Sequence, residues 1–132
     1  MRMVLPRCER RVAPSALVLL KSARSGLAAS VYEASAGGRY VGAHLAAARA
    51  AAAVVAARGG VLAFGRESRS VWELLPQVEP ILAEWAALFA AGAGKRAAAE
   101  AGLSHAVSPR DANELLRDAE TFVSIAESAL AR

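Results

Sequence analysis

The stretch Arg39-Tyr40-Val41-Gly42-Ala43-His44-Leu45, running into the alanine-rich segment Ala46 to Ala57, decides the fold. Alanine is the strongest intrinsic helix former, and its small side chain lets helix axes approach closely. Val41, Leu45, Ala48, Ala52 and Val55 recur at steps of four and three, so they read as the buried seam of a helix. The helix is expected to start near Arg39 and to close before Gly59-Gly60. Its other faces are almost all alanine, so it can pack against more than one neighbour.

Working outward, the same period appears on both sides. Before this helix, Leu20, Ala23, Leu27, Val31 and Ala34 form one stripe from Pro14 to about Ser35, and Gly37-Gly38 is expected to turn the chain. After it, Val61 to Arg69 lacks a period and reads as an exposed loop. Ser70 with Glu73 makes a capping box. Pro76 and Pro80 split the next region into a short turn, Val71 to Leu75, and a longer helix whose inward face is Ile81, Trp85, Leu88 and Gly92. Gly92 and Gly94 predict a kink before Lys95 to Ala101, and Gly102 a stop. Ser108-Pro109-Arg110-Asp111 opens the last helix, which buries Leu115, Ala119, Phe122, Ala126 and Ala129. The expectation is all-α: an antiparallel four-helix bundle with an additional short helix, in one domain over residues 14–131 behind a basic tail at 1–13.

Composition agrees with that reading. The chain has 132 residues, enough for one core, and is 55% apolar but only 5% aromatic. The lone Cys8 cannot form an internal disulfide, so a cytoplasmic location is expected. Arg10-Arg11 before Ala13 to Leu20 resembles an export signal, but Lys21 and Arg24 cut the apolar run short. No uninterrupted apolar span approaches the roughly 20 residues of a membrane helix, because Arg49 and Glu84 break the two best candidates. Residues 1–69 carry net charge +8 and residues 70–132 carry −4. A basic half attracts phosphates, and it equally orients a protein partner. Arg58, Arg66 and Arg69 are the candidate nucleic-acid contacts.

Few residues carry a recognisable chemistry. No histidine has a second histidine or carboxylate at ligand spacing, so neither a metal nor another cofactor is expected. Gly92-Ala93-Gly94-Lys95 echoes a phosphate loop but lacks its first glycine and its closing Ser or Thr, so it reads as a helix hinge. His105 falls on an exposed turn. Trp72 and Trp85, among leucines at helical spacing, read as core rather than base-stacking platforms. Arg39 and His44 remain. A histidine that moves protons and an arginine that holds phosphate oxygens can cleave RNA without metal. Five helical steps separate them by about 140° around the axis, so they converge only if Arg39 lies in the first turn or a second subunit closes the site. The plainer reading is a half-buried histidine flanking the seam and a solvated arginine.

The chain resembles a HEPN domain, in particular a small uncharacterised actinobacterial HEPN family. Arg39 to Leu45, Val71-Trp72-Glu73-Leu74-Leu75-Pro76 through Glu84-Trp85, and Lys95 to Glu100 with the closing helix carry the resemblance. It implies an antiparallel helical bundle that commonly dimerises. Active HEPN ribonucleases carry an arginine, a short spacer and a histidine assembled across a dimer interface, and Arg39 and His44 match that order. The family's motif usually lies toward a late helix, whereas this pair opens the second and the last helix holds no histidine. Many members are non-catalytic partners of nucleotidyltransferases. The expected function is a non-catalytic accessory module that contacts RNA, a nucleotide or a protein, as a homodimer and away from membranes. The rivals are a metal-independent endoribonuclease using Arg39 and His44, and a purely structural dimerising bundle.

Overall fold

The computed structural model describes residues 13–64 and 70–131. Helix α1 spans Pro14–Ser30, α2 Ala36–Phe64 and α3 Val71–Val78. A 3-10 turn at Pro80–Leu82 leads into α4 at Ala83–Ala91; α5 covers Ala93–Glu100 and α6 Pro109–Ala131. There is no strand among the described residues, so the all-α reading holds. The expected basic tail falls almost wholly in residues 1–12, outside the described residues, as do Arg66 and Arg69.

α2 is the axis of the bundle. At 29 residues it is the longest described helix, and α1, α3, α5 and α6 all pack against it. At about 1.5 Å per residue it extends about 44 Å. By length and composition alone, Ala36–Gly59 is long and apolar enough to cross a membrane, with mean hydropathy 1.4, although Arg39, Arg49 and Arg58 interrupt it, so no uninterrupted apolar span of that length occurs there. The helix runs through the glycines at which the sequence reading broke it. More than half of its most apolar stretch is buried inside the protein, as suits the central helix of a bundle.

Both ends of α2 differ from expectation. Gly37-Gly38 does not turn the chain but lies in the first turn of α2, because Ser35 caps the helix, its Oγ accepting from Gly38 N at 2.9 Å. The turn falls at residues 31–35, leaving Val31 and Ala34 exposed rather than on the buried stripe. At the other end the helix passes through Gly59-Gly60 to Phe64. A helical glycine costs about 1 kcal/mol relative to alanine, and here that cost does not end a helix already propagating through alanines.

The seam of α2 is also rotated. Val55 is buried, but Val41, Leu45, Ala48 and Ala52 are only half-buried. Tyr40, Ala43, His44, Ala47, Ala50, Ala51 and Val54 take the centre. Four neighbours wrap a helix that is small on all sides, so its larger residues do not mark the deepest line. At Gly42 an added Cβ would collide with Ser30 Oγ, which itself bonds Gly26 O at 2.7 Å, so α1 and α2 cross almost in backbone contact.

α4 turns by one residue relative to expectation. Leu82, Ala86 and Phe89 face inward, Trp85 is half-buried, and Ile81 and Leu88 are exposed. The 3-10 turn advances about 120° per residue instead of 100°, which shifts the register of the helix that follows. α6 matches its expected face: Leu115, Ala119, Phe122, Ala126 and Ala129 are all buried. Trp72, Phe89 and Phe122 form the aromatic centre, with Trp72 stacked on Phe89 at 5.1 Å and Phe89 tilted against Phe122 at 5.4 Å. Each such pair contributes about 1 kcal/mol beyond the area it buries.

The helix starts are fixed as expected. Ser70 and Glu73 close a reciprocal capping box on α3. Ser108 and Asp111 do the same on α6, with Asp111 N donating to Ser108 Oγ at 3.0 Å and Ser108 N to Asp111 Oδ2 at 3.1 Å. Arg24 ties α1 to α6, reaching Glu120 at 2.9 Å and Glu127 at 2.8 Å.

Candidate functional site

Arg39 and His44 leave α2 in different directions. Arg39 sits in the first turn, and its long stem folds back so that Nη1 donates to Glu33 O at 3.0 Å and Ala34 O at 3.2 Å. Those are carbonyls of the turn after α1. His44 faces the core and is only 2% exposed, deeper than the half-buried position expected of it. The two side chains share no bonding partner.

His44 is held by two groups distant in sequence. Nε2 donates to Phe89 O at 2.7 Å, and Nδ1 lies 3.3 Å from Arg96 Nη1. A carbonyl can only accept and a guanidinium can only donate, so the bonds require neutral imidazole with its proton on Nε2. Burial pushes the His44 pKa below its ordinary 6.5, and the Arg96 charge acts in the same direction; the Phe89 carbonyl and Glu100 oppose them. Around the ring, Tyr40 stacks at 6.4 Å, and Trp72 and Phe89 meet it edge-on at 6.0 Å each.

The backbone that His44 meets is the break between α4 and α5. Gly92 N closes a tight turn onto Phe89 O at 3.0 Å, so that carbonyl accepts from both the turn and the imidazole. Tyr40 OH reaches Gly92 O at 3.5 Å. A Cβ at Gly92 would lie 2.5 Å from Tyr40 OH and 3.6 Å from His44 Cδ2. An added side chain at Gly92 would have to displace the buried Tyr40 hydroxyl, and the kink expected at Gly92 is present as the break between α4 and α5. Burial raises the Tyr40 pKa, with Lys95 opposing it.

Arg96 was missed by the sequence reading. The only local signal was its place beside Lys95 after the glycine-rich hinge, and that spacing suggested phosphate rather than imidazole. Of the basic candidates, Arg58 is described: Nε donates to Glu79 at 3.0 Å and Nη2 to Ala129 O at 2.9 Å. The second bond places a cation on the closing carbonyls of α6, where the helix dipole favours it. His105 is exposed on the turn before α6, as expected. No three His, Cys, Asp or Glu side chains gather as metal ligands among the described residues.

A sizeable recess lies elsewhere. A groove of about 710 Å³ runs between the 3-10 turn with α4 and the outer side of α6, lined by Ile81, Leu82, Trp85, Thr121 and Ile125. Ile81 on its rim is 84% exposed.

Comparison with known families matches residues 28–127 to the SAV_6107-like HEPN family. No curated protein and no solved structure matches the chain.

Proposed function

The chain belongs to the SAV_6107-like HEPN family, and from that premise we propose that it is a non-catalytic accessory module that docks a protein chain rather than cleaving RNA. The state of His44 carries this reading. An acid–base histidine needs a free nitrogen within reach of a substrate proton. Here one ring nitrogen donates to Phe89 O, the other accepts from Arg96, and the ring is 2% exposed. Arg39 spends its guanidinium on the carbonyls of Glu33 and Ala34. Cleavage through this pair would require both side chains to abandon their bonds and to swing toward each other.

A protein partner is favoured over a nucleic acid by what the surface offers. Arg24, Arg58, Lys95 and Arg110 are engaged with carboxylates. The α4–α6 groove is lined by Ile81, Leu82, Trp85 and Ile125 together with Glu79 and Glu120, and the exposed Ile81 offers an anchor to a facing side chain. A second copy of this chain is the simplest occupant, which makes the homodimer part of the proposal.

Two assays test it. Labelled RNA incubated with the protein in EDTA is expected to remain intact; cleavage lost in a folded His44→Gln variant would restore the ribonuclease reading. Sedimentation velocity across a concentration series is expected to show a dimer that Ile81→Glu dissociates. A chain that stays monomeric throughout removes the second copy as occupant.

A further inference from the structure

α5 is attached unlike the other helices. None of its residues is buried. It begins after Gly92 and is followed by Gly102, which adopts φ +88°, a left-handed conformation that an L side chain rarely takes. Glycine therefore stands at both of its ends. The helix lies across the first part of α2, with Ala99 Cβ 3.5 Å from where a Cβ on Gly37 would stand. Among the described residues its polar side-chain attachments to the rest of the bundle are two: Arg96 to His44 Nδ1 at 3.3 Å, and Lys95 to Asp111 at 3.2 Å. The second is exposed, its partners 42% and 32% open to solvent, and such pairs contribute little.

We propose that α5 is a detachable flap latched by the bond from Arg96 to His44, and that protonation of His44 at Nδ1 releases it. The added proton occupies the lone pair that accepts from Arg96. Two donors then face each other, and a positive imidazolium stands against a guanidinium in a nearly dry setting. The charged groups around His44 all come from α5: Arg96 repels the proton and Glu100 attracts it. From α2 it meets Tyr40, from α3 Trp72 and from α4 Phe89, none of them charged at neutral pH. Lys95 and Asp111 act on Tyr40 next to it. Lifting α5 uncovers Tyr40 and His44 while leaving the Trp72–Phe89–Phe122 centre in place.

The sign follows from linkage. Once α5 lifts, the Arg96 charge and part of the burial that hold His44 below its ordinary 6.5 are removed, so it binds a proton more readily in the open form than in the closed one. Opening is therefore unaffected well above that pH and is favoured as pH falls through it. At about pH 5 a histidine of ordinary pKa holds its proton about thirtyfold in excess, which sets the ceiling of the effect.

Hydrogen–deuterium exchange of the full chain tests this, with intrinsic rates corrected, at about pH 7.5 and about pH 5. The expected result is a fall in α5 protection at the lower pH, by no more than about thirtyfold, with α5 remaining far less protected than α6 at both pH values. His44→Gln keeps a donor for Phe89 O but does not titrate, so its α5 protection is expected to be independent of pH. Arg96→Ala, at a side chain 25% exposed, is expected to leave α5 poorly protected at both. Equal α5 protection at the two pH values in the unsubstituted chain overturns the proposal, as does α5 protection no lower than that of α6 at the lower pH. So does wild-type protection in Arg96→Ala, which decides the matter even if His44→Gln does not fold.

Discussion

Arg96 Nη1 and His44 Nδ1, 52 residues apart in the chain, meet at 3.3 Å across the α2–α5 interface. The arginine that His44 uses is therefore not its sequence neighbour Arg39. The imidazole ties α2 to the Phe89 carbonyl near the end of α4 and to the Arg96 side chain of α5, and on that arrangement the proposed non-catalytic reading rests.

Removing the imidazole should destabilise the fold. His44→Ala opens a cavity among Tyr40, Trp72 and Phe89 and deprives Phe89 O of a donor. The expected loss is about 2–5 kcal/mol, read as a lower urea midpoint with the slope unchanged. His44→Gln should lose less, because it retains a donor.

Stability should also fall in acid more steeply than in a chain without this histidine. The folded state disfavours the charged ring, so no penalty applies above about pH 6.5, and it grows as pH falls below that value. The His44 contribution is bounded by about 1.4 kcal/mol per pH unit. Urea unfolding of wild type and His44→Gln between about pH 7.5 and about pH 5 should diverge on the acid side only.

Gly92→Ala places a methyl 2.5 Å from Tyr40 OH. The expected cost is about 1–3 kcal/mol. Tyr40→Phe removes the obstructing oxygen, so the double variant should recover part of that loss. A double-mutant cycle with a coupling of about 1 kcal/mol would register the contact, and additive losses would deny it.

The Arg24 bridge is a weaker element. Its guanidinium is held charged chiefly by its hydrogen bond to Glu127, with Glu120 adding to it, but the side chain is 36% exposed. Arg24→Ala should cost no more than about 1 kcal/mol, and less at high salt. Thermal melts at low and high ionic strength check this.

Much of the architecture was legible in the residues. The capping boxes at Ser70 and Ser108, the buried face of α6 and the kink at Gly92 each depend on neighbours within a few positions, which a local pattern records. The seam of α2 was not legible, because alanine on every face gives the period nothing to distinguish. The rotation of α4 depended on a single 3-10 turn that proline permits but does not announce. Gly37-Gly38 and Gly59-Gly60 read as breaks but are helical, since capping by Ser35 and propagation through alanine outweigh the glycine penalty. For the candidate site, the depth of His44 and its bond to Arg96 are tertiary facts, and spacing along one helix could suggest only Arg39.

The protonation state of the His44 imidazole is the quantity on which this account turns, and nitrogen-15 NMR of the ring reads it directly. The expected spectrum at neutral pH shows the neutral ring with its proton on Nε2 and a titration midpoint below the ordinary 6.5. A ring that exchanges freely between tautomers, or that titrates at or above that value, would mean a solvent-facing histidine and would contradict the structural role assigned to it.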